Sequence, residues 1–91
     1  MAMRSLIASS EFRRRYNELP ETVKDRLDKQ KELLTTDIRH PSLHVEKLAP
    51  KSKNMWSFRI DIHYRVLFQV LDNGDLFLLT VGTHDWVYRR I

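Results

Sequence analysis

Residues 72–75, Asp-Asn-Gly-Asp, stand between two runs of apolar residues, 64–71 and 76–81. Asn-Gly supplies the positive φ angles of a tight hairpin turn, so the two runs are expected to pair as antiparallel strands. The first run is apolar on both faces except at Arg65 and Gln69. Such a strand belongs in the middle of a sheet and needs a neighbour on each side. Residues 55–62 supply one. Trp56, Phe58, Ile60 and Ile62 alternate with Ser57, Arg59, Asp61 and the following His63, which is the period of a half-buried strand. Beyond the hairpin, Gly82-Thr83-His84-Asp85 leaves the returning strand and Trp86-Val87-Tyr88 follows.

The first half of the chain reads as scaffold. Residues 4–8 suit a short strand. Ser9 or Ser10 then offers an N-cap, with Glu11 in the first turn of a helix that runs to about Asn17. Pro20 suits the first position of a second helix, Glu21 to about Thr35, because that position has no hydrogen bond to lose. Leu19, Val23, Leu27 and Leu34 mark its apolar stripe, and the opposite face carries mixed charge, as a solvated face does. Residues 36–54 form a long connection holding two prolines and the cations Arg39, His40, His44, Lys47, Lys51 and Lys53. It reads equally as a solvated loop over Leu43, Val45 and Leu48 and as a segment that binds substrate. The whole, residues 1–91, is expected to be one α+β domain in the order β-α-α-β-β-β. It would be a small twisted antiparallel sheet with two N-terminal helices on one face and a shallow groove open on the other.

Several kinds of chemistry are disfavoured at the outset. The chain has no cysteine, so no disulfide or thiolate metal site can brace it. Its two glycines cannot make a phosphate-binding glycine loop, and no Gly-x-Ser-x-Gly turn is present for acyl transfer. His40 and His44 are four apart, but Pro41 argues against a helix there and nothing completes a ligand set, so no metal is expected. No signal-peptide run or membrane span is evident, which makes a cytoplasmic protein the expectation. The net charge is +4 and the pI about 9.7. Residues 1–38 hold eight basic and seven acidic side chains, whereas 39–91 hold eight and five together with all four histidines. An anionic partner is favoured, and the second half is where it would bind.

Arg65 opens an otherwise apolar strand, so its guanidinium needs a partner or an open face. One reading is an ion pair with Asp61 or Asp85. The other is phosphate recognition, which the planar bidentate fork suits. The same two readings apply to Arg59 on the neighbouring strand. His84 can give and accept protons near neutral pH, and Tyr88 can stack on a base or bond a phosphate oxygen. His63 and His44 are further proton groups or nucleic-acid contacts, and Lys47, Lys51 and Lys53 are candidates for backbone phosphates. Together these residues suit holding a phosphodiester and moving its protons.

The WSFRI and YRVLF strands, the acidic-glycine hairpin, the VGTHDWVYR ending and the helical FRRRYNELPETVKDRL segment resemble the RelE/ParE superfamily of toxins over most of the chain. The resemblance implies a toxin of a type II toxin-antitoxin system, a neutralising antitoxin partner, no cofactor, and an mRNA interferase. Such an endoribonuclease cleaves messenger RNA on the ribosome by metal-free attack of the 2′-hydroxyl. Arg65 matches the arginine that contacts the scissile phosphate in RelE-like members. His84 matches a catalytic histidine of YafQ-like members, and Arg59 an arginine of YoeB-like members. Tyr88 falls at the family's C-terminal aromatic. Two departures stand out. Trp56 and Phe58 replace the lysines of RelE-like enzymes, and no general-base glutamate is matched beyond the candidate Glu46. ParE-like members share YRV and VYR yet act on DNA gyrase, so the alternative is a gyrase-inhibiting toxin or a catalytically inactive binding relative. Apolar residues around Trp86, Val87 and Leu43 are the expected antitoxin contact.

Overall fold

The computed structural model describes residues 4–48 and 54–90. Its first helix begins where the capping chemistry places it. Strand β1 is Leu6–Ala8 and helix α1 is Ser10–Asn17. The Ser9 hydroxyl accepts the Phe12 N–H at 3.0 Å and donates to the Leu79 carbonyl at 2.7 Å, so one side chain both starts the helix and ties it to the sheet. Helix α2 is Glu21–Thr36, with Pro20 as its N-cap, one position earlier than expected. Val23, Leu27 and Leu34 are buried, as the apolar stripe requires.

Strands β2 (Glu46–Lys47), β3 (Trp56–Arg59), β4 (Tyr64–Val70) and β5 (Leu76–Thr83) complete a sheet of order β1-β5-β4-β3-β2. β4 is central, as its two-sided apolarity implied. The α+β class and the strand-helix-helix-meander order are those expected. The sheet is mixed, however, not purely antiparallel: β1 runs parallel to β5, because the two helices carry the chain back before the meander begins. β2 lies inside the expected connection and pairs antiparallel with β3. Two exposed polar residues carry no periodicity from which a strand could be read.

Two further expectations are corrected, and a segment the sequence left without an element gains one. β3 stops at Arg59, because the Asp61 carboxylate accepts the N–H groups of His63 and Tyr64 at 2.8 and 2.9 Å and curls the chain into a turn. Ile62 is thereby 72% exposed instead of lying on the buried face. The Trp86-Val87-Tyr88 segment is helical: α3 spans His84–Tyr88, with the Thr83 hydroxyl accepting the Trp86 N–H at 3.4 Å. The second sheet face is consequently not left open. Val87 of α3 packs on Leu67 and Leu48 in a small second core. The main core lies on the opposite face, where Phe12, Leu27 and Leu34 of the helices meet Phe58, Val66, Phe68 and Leu78 of the sheet.

Candidate functional site

Arg59 and Arg65 are direct cross-strand partners at the ends of β3 and β4 that adjoin the Asp61 turn. Two like charges so placed repel, and the surroundings divide them. Arg65 points inward and is only 7% exposed. Its Nε donates to the Ser57 hydroxyl at 2.9 Å, and its Nη2 donates to the His44 carbonyl at 2.6 Å and lies 3.8 Å from the Glu46 carboxylate. Burial lowers its pKa, Glu46 opposes that, and the neighbouring Arg59 adds to it. An arginine remains charged under such a shift. The ion pair with Asp61 or Asp85 does not form. Asp61 is spent on its own turn and on Arg26 at 3.1 Å, and Asp85 lies 3.5 Å from His84 Nδ1.

His84 opens α3. Its backbone N–H donates to the His63 carbonyl at 2.8 Å, which fixes the start of the helix against the Asp61 turn. Its ring is exposed and lies 4.3 Å, centroid to centroid, from the half-buried ring of Tyr88 one turn on. Arg59, Arg65 and His84 line one cleft of about 250 Å3 together with Asp61 and Ile62. An adjoining cleft of about 440 Å3 shares Ile62 and His84 and adds His63 and Asp85. His44 lies on the other side of Arg59, its Nε2 3.3 Å from Arg59 Nη1.

The fold therefore gathers Arg59, Arg65, His84 and Tyr88, with His63 and His44 flanking them. Lys47 stands apart: it is exposed on β2, its ammonium 5.2 Å from the centroid of the Trp56 ring. Lys51 and Lys53 lie outside the described residues. Glu46 lies beside Arg65 as a counter-ion. Ser57, the His44 carbonyl and Arg26 are part of the site's support, and none was singled out from the sequence. Ser57 carried one legible signal, a hydroxyl on the same strand face as Arg59. Val87 and Leu43 are fully buried, so they are not the exposed apolar patch expected for a partner.

Two guanidinium groups, one buried and one half-exposed, can hold a doubly charged phosphorane-like anion, and an exposed imidazole beside them can exchange protons. Among the described residues, no three His, Cys, Asp or Glu side chains converge as metal ligands. None of the described helices is long and apolar enough to cross a membrane.

This architecture is the RelE/ParE-like toxin fold. Similar solved structures include a chain of the E. coli DinJ-YafQ toxin-antitoxin complex, with a TM-score of 0.75 at 14% identity over 94% of this chain and 98% of that one. The archaeal RelE-RelB complex of Pyrococcus horikoshii OT3 gives 0.74 at 15% identity over 89% and 94%. A YoeB/ParE toxin from Agrobacterium tumefaciens gives 0.72 at 14% over 88% and 98%. No family model matches the sequence, and no curated protein matches it.

Proposed function

We propose that the protein is the toxin of a type II toxin-antitoxin system, and that it cleaves messenger RNA in the ribosomal decoding site without a metal. The observation that carries this reading is the single cleft lined by Arg59, Arg65 and His84. In it, the 2′-hydroxyl of a bound nucleotide attacks the adjacent phosphorus. The bond to the 5′-oxygen of the next nucleotide breaks, leaving a 2′,3′-cyclic phosphate. Arg65, anchored by Ser57 and His44, and Arg59 stabilise the charge that accumulates on the phosphoryl oxygens. His84 exchanges a proton with the attacking or leaving oxygen, with His63 or His44 available for the second transfer. Tyr88, beside the His84 ring, positions that ring or stacks on a base. A cytoplasmic setting and a cognate antitoxin partner belong to the same proposal.

The test is primer extension on translated messages after induction. His84→Ala is the informative variant, because the ring is exposed and its loss leaves the core intact. It should reduce cleavage on the order of 10²–10³-fold, the cost of one well-placed catalytic contact. Arg65→Ala should do the same, read beside a melting curve because Arg65 also bonds Ser57 and His44. Normal cleavage by both variants refutes the reading. Gyrase inhibition without message cleavage would move the protein to the ParE-like alternative.

A further inference from the structure

The largest cleft among those described, about 590 Å3, is not the one that holds Arg65 and His84. It opens where the segment following α2 passes over the start of β3 and the end of β4. Ile38 and Val70 form apolar walls beside the half-buried ring of Trp56, and Arg4, Arg39, His40 and His44 supply its charge and polarity. Three smaller clefts each include a carboxylate in their lining: Glu18, Asp85 or Asp61. Among the described residues this one includes none, so no described side chain of its lining offsets the field of its two arginines, and a concave apolar wall concentrates that field.

Trp56, Arg4 and His40 are also held in place. The Trp56 indole N–H donates to the Asn54 side-chain oxygen at 2.8 Å, which fixes the plane of the ring. Arg4 Nη1 donates to the Gly74 carbonyl at 2.8 Å. His40 Nδ1 accepts the Ser42 N–H at 3.2 Å, which leaves the proton of the neutral ring on Nε2 as a donor. Arg39 is exposed. A fixed aromatic ring beside apolar side chains, with the Lys47 ammonium 5.2 Å from its centroid, offers a stacking surface to a nucleobase, and guanidinium forks suit its phosphate. The volume lies within the roughly 300–1,000 Å3 of small-molecule sites. His44 lines this cleft and its ring also reaches Arg59 of the Arg65–His84 cleft, so one residue joins the Trp56 side of the sheet, which packs on the main core, to the opposite side that carries Arg65.

We infer that this cleft is a nucleotide subsite, taking one base against Trp56 and its phosphate against Arg39 and Arg4, for the RNA that flanks the scissile bond. Its place on the strand rests on the reading of the Arg59–Arg65–His84 cleft as the site of cleavage; its occupation by a nucleotide does not require turnover. The test titrates a short single-stranded oligouridylate into the His84→Ala protein and follows the Trp56 indole N–H by NMR, with affinity measured across a salt series. Binding should shift the Trp56 resonance. Arg39→Ala should weaken binding on the order of tenfold, as loss of a charge-assisted hydrogen bond does. It should also flatten the dependence of log K on log salt by about 0.7, the contribution of one phosphate contact on a single strand. Unchanged affinity and salt slope in Arg39→Ala overturn the inference. So does a polyglutamate peptide that shifts Trp56 where the oligouridylate does not, which would make the cleft a site for an acidic protein segment. If the wild-type protein never cuts messages yet the oligouridylate shifts Trp56 in an Arg39-dependent way, the subsite stands and the cleavage reading falls.

Discussion

His44 joins a backbone constraint to two side chains of the site. Its φ of 43° and ψ of 49° place it in the left-handed region, which costs a non-glycine residue about 1–2 kcal/mol. In that conformation its carbonyl accepts from Arg65 and its ring reaches Arg59. The strain therefore coincides with the orientation of both arginines. His44→Val should lower stability in urea by about 1–2 kcal/mol, because a β-branched residue tolerates positive φ least. His44→Gly should lose no stability on backbone grounds while releasing Arg59. Equal stability of the two variants would show that the strain is not felt. Nothing at position 44 announces a left-handed residue, since the conformation follows from how residues 41–47 meet the sheet edge. Arg65 differs. A lone charge in an apolar strand signals a buried, partnered guanidinium, but the partners proved to be Ser57, the His44 carbonyl and Glu46. They converge through the pairing of β2, β3 and β4, which lies beyond local sequence.

At the level of elements, the passage from β5 into α3 sets the position of His84. An added Cβ at Gly82 would lie 2.6 Å from Trp86 Cε3 and 3.2 Å from an Arg15 guanidinium nitrogen. Only glycine lets the indole lie against the strand. The Arg15 guanidinium stacks 3.6 Å from the Trp86 ring centroid while its Nε donates to the Val81 carbonyl at 2.6 Å, so α1 and α3 clasp the end of β5 together. Gly82→Ala should displace Trp86 and destabilise the protein by about 1–3 kcal/mol, the usual cost of overpacking. Thermal unfolding measures the loss, and the Trp86 fluorescence maximum should move as the ring is pushed outward. A variant as stable as the wild type would mean that α3 shifts freely. α1 was legible because Ser9 caps it with local chemistry. α3 was not, because five residues cannot separate a helical period from a strand's, and its buried Val87 is defined by Leu48 and Leu67 from other elements.

Across the whole molecule, Asp61 couples the β3–β4 turn to α2 through Arg26. Burial raises its pKa, but the His63 and Tyr64 N–H groups and Arg26 outweigh that, and the net shift is downward. A carboxylate with a depressed folded pKa stabilises the protein above its unfolded value of about 4. That contribution disappears as the pH falls through the lower folded value. Stability of the wild type should therefore decline more steeply below about pH 4 than that of Asp61→Asn, measured by urea unfolding at a series of pH values. Parallel curves would remove Asp61 from the coupling.

By itself, the sequence determined the hairpin, although Gly74 and not Asn73 takes the positive φ in its turn, and it determined the central strand, the capped start of α1, the apolar stripe of α2 and the types of side chain available for chemistry. Each is written in residues a few positions apart, where dihedral preference and periodicity operate. The tertiary structure alone decided the parallel placement of β1, the pairing of β2, the helical α3, and which groups surround each cation. Those outcomes depend on contacts between residues far apart in the chain, such as the Ser9 hydroxyl on the Leu79 carbonyl, 70 positions on. Residues 56–90 thus named Arg59, Arg65 and His84 as candidates, and the packing of β3, β4 and α3 put them in one cleft.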